Sequence, residues 1–160
     1  MKTTFHHLTI LASTIAILGC AAVDDQSWNR RARQDSDALT VPRKWMLQSY
    51  VYNGEEKITT GGGAYISFKP GNGFEGYNGV NWIGYSPDTP AYEATPYGGF
   101  RIIPGELCRT MVGPPAELRE EIARRRQLLN GATTFECAGN TLILSDGTGR
   151  NQLRYTARMR

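Results

Sequence analysis

The stretch Gly73-Phe74-Glu75-Gly76-Tyr77-Asn78-Gly79-Val80-Asn81-Trp82 restricts this chain more than any other. Extended segments lead into it, and a glycine- and tyrosine-rich excursion leads out. It joins a short aromatic-bearing strand to a turn, where Asn78-Gly79 are expected to take the positive φ angles that most residues resist. Lys69-Pro70-Gly71-Asn72-Gly73 is a turn signal just before it, so the stretch enters as one arm of an antiparallel hairpin with the strand Ala64 to Phe68.

The flanking segments extend that hairpin into a domain. Lys44 to Tyr52 is rich in aromatic and branched residues, which predicts a half-buried strand with Trp45, Leu47, Ser49 and Val51 on one face. Asn53-Gly54 offers a turn, and Gly61-Gly62-Gly63 a loop. Residues 84 to 99 hold Pro87, Pro90 and Pro96 with Tyr85, Tyr92 and Tyr97 and show neither helical nor strand period, so a long loop is expected. Its tyrosines can bind a partner or fold back over the open end of a small sheet, and covering is the favoured role. Phe100 to Ile103 is a short strand.

Pro114-Pro115 then sets up a helix, with Glu117, Glu120 and Glu121 in the first turns, where the dipole favours carboxylates. Leu118, Ile122, Arg125 and Leu129 follow an i, i+4, i+7, i+11 spacing, so the three apolar members form a stripe facing a sheet. Asn130-Gly131 ends the helix, and strands are expected at 133 to 138, 141 to 144 and 151 to 155. The predicted class is α+β: a small curved antiparallel sheet, or partly open barrel, packed with one helix.

Residues 1 to 19 have a signal-peptide layout: an early lysine, then an apolar run too short to span a bilayer permanently. The run ends in Ile17-Leu18-Gly19-Cys20, similar to the lipobox at which bacterial lipoproteins are cleaved and acylated on the cysteine. Cys20 is therefore the predicted lipidation site, and acyl chains such as palmitate would anchor the protein to a membrane. Ala21 after it resembles the signal for transfer to the outer membrane, facing the periplasm. Residues 20 to 43, with four aspartates, four arginines and little apolar periodicity, read as a tether bearing Trp28, and the domain as 44 to 160.

The net charge of +3 is too mild to imply nucleic acid, and the Arg124-Arg125-Arg126 run reads as a solvated helix face. Both histidines, His6 and His7, lie in the segment predicted to be removed, which excludes histidine triads and histidine-ligated metals from the mature chain. Glu55-Glu56 in a polar loop and Glu120-Glu121 on the helix read as solvated charge. Gly61-Gly62-Gly63 lacks the ending of a phosphate cradle. No catalytic residue, metal site or cofactor is therefore expected.

Taken in order, Trp45-x-Leu47-x-Ser49-Tyr50, Ile66-Ser67-Phe68, Gly76-Tyr77-Asn78-Gly79, Thr110-Met111 and Gly139-Asn140-Thr141-Leu142 resemble the META domain family of HslJ-like, heat-inducible bacterial lipoproteins. The resemblance covers residues 44 to 158. It implies a compact β-rich domain with one helix on an envelope lipoprotein, and an association with heat induction and novobiocin resistance. Family members often carry cysteines near the asparagine turn and after the threonine-methionine pair, where this chain has Tyr77 and Val112. Its own remaining cysteines are Cys108 and Cys137, which the oxidising periplasm could join. That bond would close a loop of roughly 30 residues and contribute about 3 kcal/mol if unstrained. Two buried thiols are the alternative.

These features predict a non-catalytic envelope lipoprotein that binds or stabilises another envelope component, a protein or a glycan. The candidate binding residues are Tyr77, Asn78, Asn81, Trp82 and Tyr85, since rings with amide neighbours offer apolar faces and polar edges. Core packing is the alternative reading of that cluster. A periplasmic inhibitor or chaperone-like protein acting through residues 86–98 is the second functional expectation.

Overall fold

A computed structural model of the chain describes residues 39, 41–59, 62–85, 90–103, 107–110 and 112–158, and the side chains of these except 85 and 107–109. The signal layout, Cys20, Trp28, residues 86–89 and Met111 lie outside the described residues. The strands are β1 (Lys44–Tyr52), β2 (Glu55–Ile58), β3 (Tyr65–Lys69), β4 (Gly73–Tyr77), β5 (Trp82–Tyr85), β6 (Tyr92–Ala94), β7 (Phe100–Ile102), β8 (Leu107–Arg109), β9 (Thr134–Ala138), β10 (Thr141–Ser145) and β11 (Gln152–Arg158). The helix α1 (Ala116–Asn130) lies between β8 and β9 in the chain.

Nine strands form one antiparallel sheet in the order β8-β5-β4-β3-β1-β11-β10-β9, with β2 paired to β1. The sheet is open, with β8 and β9 at its ends. With the α-helix at Ala116–Asn130, this is the α+β fold expected from the sequence. β1 organises it: β11 runs along one side, while on the other Trp45 and Met46 pair with β3 and Ser49 to Tyr52 pair with β2.

The strand bounds of β1 are those predicted, but its faces are not. Leu47 sits opposite Tyr155 and Ser49 opposite Arg154, so Gln48 is the extra residue of a β-bulge. One extra residue inverts the alternation beyond it. Trp45 and Leu47 face the core before the bulge, and Tyr50 and Tyr52 after it. Ser49 instead hydrogen-bonds Glu56 at 2.9 Å.

Three further elements correct the sequence reading. Glu55 and Glu56 lie on β2, because Asn53 (φ 55°) and Gly54 (φ 90°) take the paired positive angles that fold the chain directly back on β1. β8 was not expected, and it pairs with β5. Part of the predicted long loop is strand: β6 pairs with β7 as a separate hairpin. That hairpin is tied at both ends, by Ala91 N donating to Asn72 O (2.9 Å) and Phe135 N donating to Gly98 O (2.8 Å).

Tyr92 and Phe100 of this hairpin are buried against Phe68, with ring centroids 4.8 and 5.9 Å away. Burying each such ring contributes on the order of 2–3 kcal/mol. Of the loop's tyrosines, Tyr92 thus takes the covering role, whereas Tyr97 is exposed and the Tyr85 side chain lies outside the described residues. Leu39, within the segment read as tether, is also buried in that core, so the folded domain takes in a residue before β1.

Candidate functional site

The paired register across β3, β4 and β5 sorts the central stretch into two faces. Ile66, Gly76 and Ile83 stand opposite one another in one row, and Tyr65, Tyr77 and Trp82 in the next. The first row faces the core, with Ile66 and Ile83 part of it. Gly76 contributes no side chain there. A methyl group at Gly76 would lie 2.8 Å from the Tyr65 carbonyl oxygen, so this strand position admits only glycine without a shift.

A cavity of about 250 Å³ opens over this gap, between α1 and the sheet. Leu47, Ile66, Phe74, Gly76, Ile83 and Tyr155 form its floor, and Ile122, Arg125 and Leu129 of α1 its roof. Asn78, Asn81, Pro114, Arg126 and Asn130 also line it.

Arg125 is the buried charged group of this cavity, and sequence reasoning placed it in solvent. It is 6% exposed, because the helical spacing that sets Ile122 and Leu129 over the cavity carries Arg125 with them. Its Nη2 donates to the Asn78 carbonyl at 3.1 Å. Nη1 lies 3.7 Å from Oε1 of Glu121, a charge contact longer than a hydrogen bond. Nε and Nη1 are buried without a hydrogen-bond acceptor. Glu121, read as solvated, is half-buried beside it, whereas Arg124 pairs with Glu120 and Arg126 is exposed. Burial pushes the Tyr155 phenol above the ordinary tyrosine range, and the Arg125 charge opposes that shift.

The five residues expected to bind are brought together on β4, β5 and their turn, with different roles. Asn78 Oδ1 accepts from Val80 N (2.9 Å) and Asn81 N (2.7 Å), which shapes the turn. The positive angle falls on Gly79 (φ 101°) and not on Asn78. Asn81 ties that turn to the segment before α1: its Nδ2 donates to Val112 O (2.8 Å) and its Oδ1 accepts from Val112 N (2.9 Å). Both amides therefore hold structure at the cavity rim.

Tyr77 and Trp82 lie with Tyr65 in the outer row, Trp82 with its ring edge-on to Tyr65 at 5.8 Å and 51% exposed. Tyr77 Oη donates to Gly79 O at 3.0 Å. Tyr85 ends β5, and its side chain lies outside the described residues. Cys137 on β9 is buried, and Cys108 on β8 stands opposite Gly84, its side chain also outside the described residues. A bond between these cysteines would join the strands at the two ends of the sheet order.

No family model matches the chain, and no curated protein matches it. Among solved structures, it is similar to a DUF4847 family protein from Bacteroides vulgatus ATCC 8482, at 13% identity and a TM-score of 0.49, over 76% of this chain and 96% of that one. It is also similar to a protein solved by NMR, at 17% identity and a TM-score of 0.45, over 74% of this chain and 92% of that one.

Proposed function

We propose that the chain is a non-catalytic, lipid-anchored envelope protein with a META-like domain, which acts by binding another envelope component in stress or antibiotic tolerance. The observation that supports this reading is the open apolar cavity under α1 with the buried Arg125 guanidinium at its roof. A concave, mostly apolar site with a few placed polar groups is the usual form of a binding pocket. The domain would reach its partner from the membrane through Cys20.

The test is photo-crosslinking in cells from a benzoylphenylalanine at position 126, an exposed residue at the cavity rim. One envelope species captured by this chain, and lost when Ile122→Trp fills the cavity at unchanged melting temperature, is the expected result. Capture that ignores Ile122→Trp would defeat the reading. A second reading, an inhibitor or chaperone-like protein acting through residues 86–98, draws on Tyr97, which is 80% exposed between β6 and β7. The same capture run with Tyr97→Ala separates the two.

A further inference from the structure

The outer row of β3, β4 and β5, on the other face from Ile66, Gly76 and Ile83, sets an exposed ring beside an opening in the sheet surface. Trp82 is 51% exposed, although its ring meets Tyr65 and Tyr77 with centroids 5.8 Å away in each case. Those rings are inclined to the indole by 84° and 53°, so neither stacks on its face. Two positions on from Trp82, on the same side of β5, Gly84 leaves a space: a methyl group there meets nothing within 4 Å. Glu75 stands opposite Gly84 on β4, and its carboxylate pairs with Lys69 Nζ at 2.8 Å, both side chains being partly exposed.

We propose that this surface binds an uncharged glycan, one pyranose ring stacked on Trp82 in the space over Gly84, with its hydroxyls on the Glu75–Lys69 pair. The inference is independent of the cavity, which lies on the opposite face of the same strands. Charge complementarity selects the ligand. The ion pair sums to zero, so an anionic headgroup would be opposed by Glu75 and a cationic one by Lys69. A carboxylate has about four acceptor sites and an ammonium three donors, so a partly exposed pair can take up hydroxyls, which both donate and accept, and stay paired.

The ring supplies the apolar half of the match. An indole face is negative, and the weakly positive C–H groups of a pyranose ring complement it. Contact with Tyr65 and Tyr77 restrains the indole, which lowers the cost of fixing it on binding. Residues two apart on a strand are separated by about 7 Å, at ~3.4 Å each, so the opening beside Trp82 takes one sugar ring across its width. An extended peptide fits less well, because strand addition needs the backbone groups of a sheet edge, and a sheet face presents none.

The experiment uses the full acylated chain in phosphatidylcholine nanodiscs, its tryptophans labelled with 15N at the indole nitrogen and the Trp82 resonance assigned from Trp82→Phe. The probes are three neutral glycans: cellotriose, maltotriose and chitotriose. At least one should shift the Trp82 resonance saturably and leave that of buried Trp45 in place. Gly84→Thr fills the space at a position without a positive φ, so it should weaken that binding at least tenfold at unchanged melting temperature. Saturation transfer to the sugar should vanish in Trp82→Ala and return in part in Trp82→Tyr. No saturable shift with any of the three glycans, or a shift that Gly84→Thr leaves unchanged, overturns the proposal. If Gly84→Thr does not fold, Trp82→Ala decides, and sugar binding retained in it counts against the site. A Trp82 shift that appears only when anionic phosphatidylglycerol is added to the nanodiscs assigns the surface to a lipid headgroup and defeats the glycan. None of these failures touches the cavity, whose own test is capture from position 126 and its loss in Ile122→Trp.

Discussion

Arg125 and Gly76 decide what the centre of this molecule can hold. Consecutive helical residues are about 100° apart, so a run of three arginines cannot all point to water once its neighbours at i−3 and i+4 face a sheet. The sequence spacing already contained that result, since Arg125 shares the register of Ile122 and Leu129. Charge alone argued the other way. Gly76 is the complementary case, because a strand glycine shows in the sequence but the reason for it does not. Adding a methyl group there drives Cβ to 2.8 Å from the Tyr65 carbonyl, a backbone atom that cannot swing aside. Gly76→Ala should therefore destabilise the full chain by roughly 1–3 kcal/mol in urea unfolding. Gly84→Ala, on β5 where an added methyl meets nothing within 4 Å, should stay within about 0.5 kcal/mol of the unaltered chain. Equal effects would show that the Gly76 position tolerates a side chain.

At the scale of elements, what could be read from the sequence was set by local signals. β1 has its predicted bounds, and the arms on either side of Pro70-Gly71-Asn72 pair as expected, because aromatic alternation and turn chemistry act within a few residues. The bulge at Gln48 was not legible, since it is defined by the partner strand β11, over 100 positions away in the chain. β6 was hidden for a similar reason. Three residues flanked by prolines carry no period, and Tyr92 becomes a strand residue by pairing with Ile102 while its ring is buried against Phe68. That burial makes the hairpin dependent on one ring. Tyr92→Ala should cost about 3–5 kcal/mol, in line with other buried aromatic truncations. Limited proteolysis between residues 90 and 98 should be slow in the unaltered chain and fast in this variant. Rapid cleavage in both would mean that the hairpin does not hold the cover in place.

For the whole molecule, the question is how a domain of this kind stays at a membrane. No described helix is long and apolar enough to cross one. The attachment proposed here is chemical, through Cys20, where several acyl chains would each contribute about 0.8 kcal/mol per buried methylene. Anchoring and binding are then separate properties of one chain. The cavity is built from residues between Leu47 and Tyr155, and Cys20 lies 27 positions before the first of them. Cys20→Ser should abolish incorporation of a palmitate analogue and move the protein from the membrane to the soluble fraction. The melting temperature of the domain should not change, because the described buried core runs from Leu39 to Tyr155. Capture of the envelope partner from position 126 should fall with the lost membrane concentration. Membrane retention in the Cys20→Ser variant would mean that some other part of the chain supplies the attachment, and the lipoprotein reading would fall.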